Sequence, residues 1–224
     1  LEARAGGRLG VCLLDTGSGR LVGHRLDERF AMCSTFKLPL AALVLRAAEA
    51  GRLRLDDAVA ITKADLVAYA PVVEPKVGQT LTLAALAEAA QTTSDNAAAN
   101  LLLARLGGPA GFTAALRGLG DSVTRLDRTE PQLNVVKPGE EHDTTSPRAM
   151  AATMARLLTG DVLSAASRER LIGWMVATTT GGKRLRAGLP SSWRAGDKTG
   201  TAQAAAMTDK VNDLAITWPP GKAP

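Results

Sequence analysis

Strand-forming runs lie at the two ends of this 224-residue sequence, and the long stretch between them is punctuated for helices. Residues 8–14 and 20–26 flank the turn formers Asp15–Gly19, which reads as a hairpin. At the other end, residues 192–201 and Asn212–Trp218 read as strands, the second closed by Pro219 and Pro220. In between, a helix is predicted over 35–50 with Gly51 as its C-cap, and Pro39 early in it should cost one backbone hydrogen bond. Thr82 caps a helix over 83–91, and Asn96–Leu106 forms another that Gly107 and Gly108 close. Pro109 opens the next, Ser146 and Pro147 start one that Gly160 ends, and 168–177 form the last. Strand-rich ends must meet to bury a face, so the pattern predicts an α+β architecture. An antiparallel sheet is formed from both chain ends with flanking helices (residues 1–27 and 185–224), and an all-helical domain (28–184) is inserted between them. A ligand site is expected in the cleft between the two.

Composition closes off several functions. The formal charge is +5, but the 27 basic residues are scattered, often beside acids, and never interleave with aromatics, which make up only 3% of the chain. Nucleic-acid binding is therefore not expected. Cys12, Cys33, His24 and His142 show no metal-ligand spacing, so neither metal nor cofactor is expected. No segment reaches the roughly 18 apolar residues of a membrane span. The chain opens at Leu1 within a helical-looking stretch, so any targeting segment is expected to have been removed or not included in this sequence.

Three short motifs carry the chemistry. Ser34 and Lys37 stand three apart at a helix start, which puts both on one face. A serine hydroxyl needs a base within hydrogen-bond reach, and a buried amine can serve. Alone, the pair equally describes a helix cap and an exposed lysine. Ser94-Asp95-Asn96 is either a loop capping the next helix or a proton shuttle (Ser94) beside an amide that holds substrate (Asn96). Lys198-Thr199-Gly200 is either an ordinary edge strand or a carboxylate-binding lysine on a strand whose glycine lets a ligand lie alongside. A fixed tripeptide occurs by chance about once in several thousand positions at residue frequencies near 5%.

The ordered set Ser-x-x-Lys, Ser-Asp-Asn, Lys-Thr-Gly is similar to that of class A β-lactamases and penicillin-binding proteins. Residues 128–134, Arg-Thr-Glu-Pro-Gln-Leu-Asn, resemble the omega loop of the class A β-lactamases alone. The resemblance implies hydrolysis of the β-lactam ring of penicillins and cephalosporins, and so antibiotic resistance. Ser34 would be the nucleophile, with Lys37, or Glu130 through a water, as its base. Ser94 would protonate the ring nitrogen, and Glu130 with Asn134 would activate the water that cleaves the ester. Arg128 and Asp143 would close the omega loop, and Tyr69 would wall the cleft mouth. Thr201 and Ser34 would offer backbone N–H groups to the oxyanion. Asn96, Thr199 and Gly200 would line the substrate. Arg184 would join Lys198 on its carboxylate, because Val211 stands where other members carry an arginine. A monomer in the periplasm or outside the cell is implied, with a β-lactam as its small-molecule partner. A penicillin-binding DD-peptidase, or an incomplete fragment or binding protein of the same fold, is the alternative; Glu130 and Asn134 argue against the peptidase.

The sequence departs from that family in three places. Members usually start with a longer helix and continue past the final Pro-Pro with another strand and a long helix. If Pro224 is the terminus, one sheet edge is bare, and the expectation is an unstable protein or one that needs a partner. The stretch Ala202–Lys210 is longer than the family's turn and reads as a solvated hairpin loop beside the cleft. Cys33 lacks the partner that a carbapenem-hydrolysing subgroup places where Ala202 stands, so it reads as a small buried hydrophobe, with a Cys12–Cys33 bond left open.

Overall fold

The structure, a computed structural model, describes residues 2–204 and 207–224. The expectation of a helix at Leu1 falls outside the described residues, and the helical stretch α1 covers Glu2–Ala5. A hairpin follows, β1 (Val11–Leu14) paired with β2 (Leu21–His24). A two-residue strand β3 (Phe30–Ala31) leads to a tight 3-10 turn at Cys33–Phe36 and then to α2 (Lys37–Glu49). Next come β4 (Ala58–Ala60), β5 (Thr80–Thr82), α3 (Leu83–Thr92), α4 (Asn96–Arg105) and α5 (Gly108–Gly118). After a long irregular segment come β6 (Thr144–Thr145), α6 (Pro147–Leu158) and α7 (Ala165–Val176). The chain closes with a hairpin of β7 (Arg194–Ala204) and β8 (Met207–Trp218).

The helix punctuation works as expected. Thr82 accepts the amide of Ala85 at 3.1 Å, and Ser146 accepts that of Ala149 at 3.2 Å. Pro39 falls in the first turn of α2, where backbone N–H groups have no partner inside an α-helix in any case, so the expected lost bond does not arise. Four short strands, β3 to β6, interrupt the helical stretch where none was expected; β3 pairs with β6 and β4 with β5. The described residues of the Ala202–Lys210 stretch are strand rather than loop. The ladder continues through Ala202↔Lys210 to Ala204↔Met207, with a bulge between, and the rest of that expectation falls on Ala205 and Ala206, outside the described residues.

The mixed α+β class is realised with the strands of both chain ends as antiparallel hairpins. Among the described residues these hairpins form separate two-stranded ladders rather than one ladder. Thr16, in the first turn, reaches the other end of the chain, donating its amide (3.0 Å) and hydroxyl (2.6 Å) to the carbonyl of Pro224.

The core is built around α2. Every residue from Lys37 to Leu45 is buried, which is why this helix has no polar stripe. It packs against α3, α4, α6 and α7, and Phe36 meets Phe112 of α5 edge to face at 6.1 Å. With few aromatics, Leu and Ala fill the remaining space, including Leu86, Leu102, Leu103 and Leu157. The consequence for the site is mechanical: the 3-10 turn that carries Ser34 is the start of the most deeply held helix in the molecule.

Candidate active site

Ser34 sits in that turn, just ahead of Lys37 at the start of α2. The Lys37 ammonium donates to Ser34 Oγ at 2.9 Å and to the carbonyl of Ser94 at 2.9 Å, and also bonds Asn96 Oδ1. Ser34 Oγ in turn lies 3.3 Å from Glu130 Oε1, and Lys37 Nζ lies 3.0 Å from the same oxygen. The Lys37 and Glu130 side chains are fully buried. Burial pulls the Lys37 ammonium below its usual pKa, opposed by the charge of Glu130. A buried pair of this kind is poor evidence for stability, because desolvation cancels much of the attraction.

Glu130 is held from three sides. Its backbone N–H donates to Asn100 Oδ1 at 2.9 Å, and its carbonyl accepts from Asn100 Nδ2 at 2.9 Å. Asn134 Nδ2 donates to Glu130 Oε2 at 2.6 Å, while Asn134 Oδ1 is buried without a protein partner. That arrangement offers an acceptor and a carboxylate together, the pair of groups that can bind and activate a water. The segment carrying them is closed at its base, where Arg128 Nε meets Asp143 Oδ2 at 2.6 Å and Asp143 Oδ1 accepts the amides of Asp127 and Arg128.

The Ser94 turn forms the opposite wall. Asp95 caps α4 through Ala98 N and also accepts the amides of Val72 and Val73, which ties the loop bearing Tyr69 to α4. Asn96 adds bonds to the carbonyls of Ala68 and Tyr69. Asp95 is the helix cap of this motif, while Ser94 Oγ meets Lys198 and Asn96 Oδ1 meets Lys37. Tyr69 itself is 59% exposed.

From the other side, β7 brings Lys198. Its ammonium is fully buried and donates to Ser94 Oγ at 2.9 Å and to the Thr199 carbonyl at 2.7 Å. Burial, and next the charge of Lys37, push its pKa well below the usual lysine range. Thr199 Oγ1 lies 2.7 Å from Thr180 Oγ1. A Cβ on Gly200 would sit 2.7 Å from the carbonyl of Met32 and 3.2 Å from the amide of Ser34, so only glycine lets β7 run against the nucleophile turn. Thr201 follows directly. Arg184 donates to Thr201 Oγ1 at 2.8 Å and to the carbonyl of Asn212, on the same strand pair as the exposed Val211.

All fourteen residues singled out from the sequence are thereby located at or around one cleft, the Arg128–Asp143 pair at its edge. Among the described residues, four of the five non-glycine residues with positive φ are Cys33, Tyr69, Ser94 and Asp143, all beside it. Such strain is of order 1–3 kcal/mol each and tends to gather at functional sites. Several supporting groups escaped the sequence reading. Asn100 stands four residues after Asn96 on the same face of α4, a spacing that could have flagged it. Asn212, which ties β8 to the carbonyls of Ala31 and Met32, had no such signal. Cys12 and Cys33 are both free; Cys33 is buried, and burial pushes its thiol up to about 12.

The chain matches the model of the beta-lactamase enzyme family over residues 1–224. It is 51% identical to Beta-lactamase AST-1 of Nocardia asteroides, over 100% of this chain and 71% of that protein. It is 50% identical to Beta-lactamase L2 of Stenotrophomonas maltophilia, over 98% of this chain and 71% of that one. Among solved structures, an ancestral (GNCA) class A beta-lactamase superposes with a TM-score of 0.96 at 58% identity, covering 99% of this chain and 84% of the other. A beta lactamase from Xanthomonas campestris pv. campestris gives 0.95 at 52% identity, with 99% and 81% covered.

Proposed function

This chain belongs to the beta-lactamase enzyme family, and from that membership we propose a role for each group in its cleft. The enzyme hydrolyses the β-lactam ring of penicillins and cephalosporins through an ester on a serine, which confers antibiotic resistance. Ser34 is that serine. The observation that carries the assignment is that its Oγ stands within hydrogen-bond reach of both Lys37 and Glu130.

Lys37 hands its proton to Glu130, 3.0 Å away, and the freed amine takes the proton of Ser34 as Oγ attacks the carbonyl. The oxyanion forms between the backbone N–H groups of Ser34 and Thr201, which Gly200 allows to approach. Ser94 gives its hydroxyl proton to the ring nitrogen as the C–N bond breaks, and Lys198 beside it resupplies the proton. Lys198, Thr199 and Arg184 hold the substrate carboxylate; Asn96 and Tyr69 line its side chain. Lys37 passes the proton it took from Ser34 on to the Ser94–Lys198 pair and recovers its own from Glu130. Glu130 then takes a proton from a water that it shares with Asn134 Oδ1, the hydroxide cleaves the ester, and that proton goes to the departing Ser34 Oγ. Residues 1–27 and 185–224 act as one body and 28–184 as the other, each contributing one wall.

The Glu130–Asn134 pair favours hydrolysis over the slow release of a DD-peptidase. We place the enzyme in the periplasm or outside the cell, as a monomer; no helix is long and apolar enough to cross a membrane among the described residues. Turnover of a chromogenic cephalosporin tests the front half of this scheme. Ser34→Ala should abolish it, and Lys37→Ala should lower kcat by about 100- to 10,000-fold. A Ser34→Ala protein that hydrolyses at the parent rate would remove the scheme.

A further inference from the structure

A second concave site lies on the helical side of the molecule, built from none of the groups above. It is a cavity of about 200 Å³ between the C-terminal ends of α2 and α4 and the first turns of α5. Leu43, Leu53 and Leu106 make an apolar floor, and three arginines, Arg46, Arg52 and Arg105, stand around it. No acidic residue lines it.

The charge here is not neutralised locally. Among the described residues none of these three guanidiniums forms an ion pair with a carboxylate. The acids closest in sequence to Arg46 and Arg52 are engaged elsewhere. Glu49 accepts the amide of Ser164 at 3.0 Å, and Asp56 and Asp57 both lie against Arg54. Arg46 and Arg105 stand in the last turns of α2 and α4, where cations favour the negative end of the helix dipole. That accounts for two of the three. Arg52 lies just beyond the end of α2, where that effect is weaker. Arginine stems can cover apolar surface while their heads stay in water, but three unpaired heads around one floor repel each other unless an anion joins them.

We propose that this cavity is a binding site for a small amphiphilic carboxylate, with its apolar body on the leucine floor and its carboxylate held by Arg52 and Arg105. Guanidinium is the side-chain group matched in shape to a carboxylate, through paired N–H donors. The volume suits a single ring or short chain, below the usual size of drug pockets. Neither half would be enough alone: the floor is small, and exposed charge pairs contribute little in water.

The test uses the whole chain, phenylacetate as the probe, and phenylacetamide as its uncharged counterpart. Backbone amide spectra are recorded during titration of the parent and of an Arg52→Ala/Arg105→Ala double variant. Both arginines are exposed, so the variant should fold and hydrolyse a chromogenic cephalosporin at the parent rate. The expected result is saturable shifts at Leu53, Leu106 and Gly111 with phenylacetate. The same shifts should need at least about tenfold more phenylacetamide, and about tenfold more phenylacetate in the variant. Shifts that do not saturate, that appear only around Ser34 and Lys198, or that survive unchanged in the double variant or with the amide would overturn the proposal.

Discussion

Single residues decide this cleft by what they leave room for as much as by what they do. At Gly200 a methyl group would meet the Met32 carbonyl at 2.7 Å and Thr35 Cγ2 at 3.1 Å. Backbone cannot yield cheaply there, so Gly200→Ala should lower kcat at least about tenfold with the circular dichroism spectrum intact, because the oxyanion donors move apart. Parent-like kcat would mean that β7 has slack. Asn100 presents a different case. Its two bonds to the backbone of Glu130 hold the carboxylate under Ser34. Asn100→Ala should destabilise the fold by about 1–3 kcal/mol and slow ester cleavage more than ester formation, measured as burst kinetics with a slowed second phase. The reacting groups were legible in the sequence because Ser34, Lys37, Ser94, Lys198 and Glu130 sit in ordered motifs. Asn100 was marked only by its spacing from Asn96, and Asn212 by nothing, because a lone asparagine that braces backbone looks like any other polar residue.

Elements position these residues, and one of them carries a pH signature. Asp213 lies across from Thr199 in the β7–β8 ladder, takes the amide of Leu185 on Oδ2, and leaves Oδ1 buried and unpaired. Burial, reinforced by the neighbouring charge of Asp197, raises its pKa to about 6. A carboxyl raised on folding contributes stability below its unfolded pKa and loses it as pH climbs through the folded value. Asp213→Asn should therefore gain stability relative to the parent between about pH 5 and about pH 8, read from denaturant midpoints at both. A pH-independent difference would show that Asp213 is ionised throughout. Helix starts were well marked by Thr82, Ser146 and their kin. The short strands were not: β3 and β6 are two residues each, too short for any period, and they lie more than a hundred residues apart in the sequence.

Across the whole molecule, the α+β plan was legible because β-rich ends and a helical middle leave few ways to bury both. That the two end hairpins keep separate ladders was not, because register between distant strands leaves no local mark. The β1–β2 hairpin also shows a bare apolar face: Leu13 and Val22 are direct partners and are 68% and 54% exposed. Such a pair invites association of this chain at high concentration. Leu13→Lys with Val22→Thr should reduce concentration-dependent light scattering and leave turnover untouched, since neither side chain is part of the cleft. Unchanged scattering would put the sticky surface elsewhere. The central claim, that Ser34 accepts the acyl group and Glu130 drives its release, is tested most directly by intact-mass spectrometry of the Glu130→Ala variant mixed with benzylpenicillin. Without Glu130 to take the Lys37 proton the ester should form more slowly than in the parent, but it should then last: one penicillin per chain, mapped to the peptide that holds Ser34, while the parent returns to its free mass. No adduct, an adduct on another peptide, or a variant that clears penicillin as fast as the parent would contradict it.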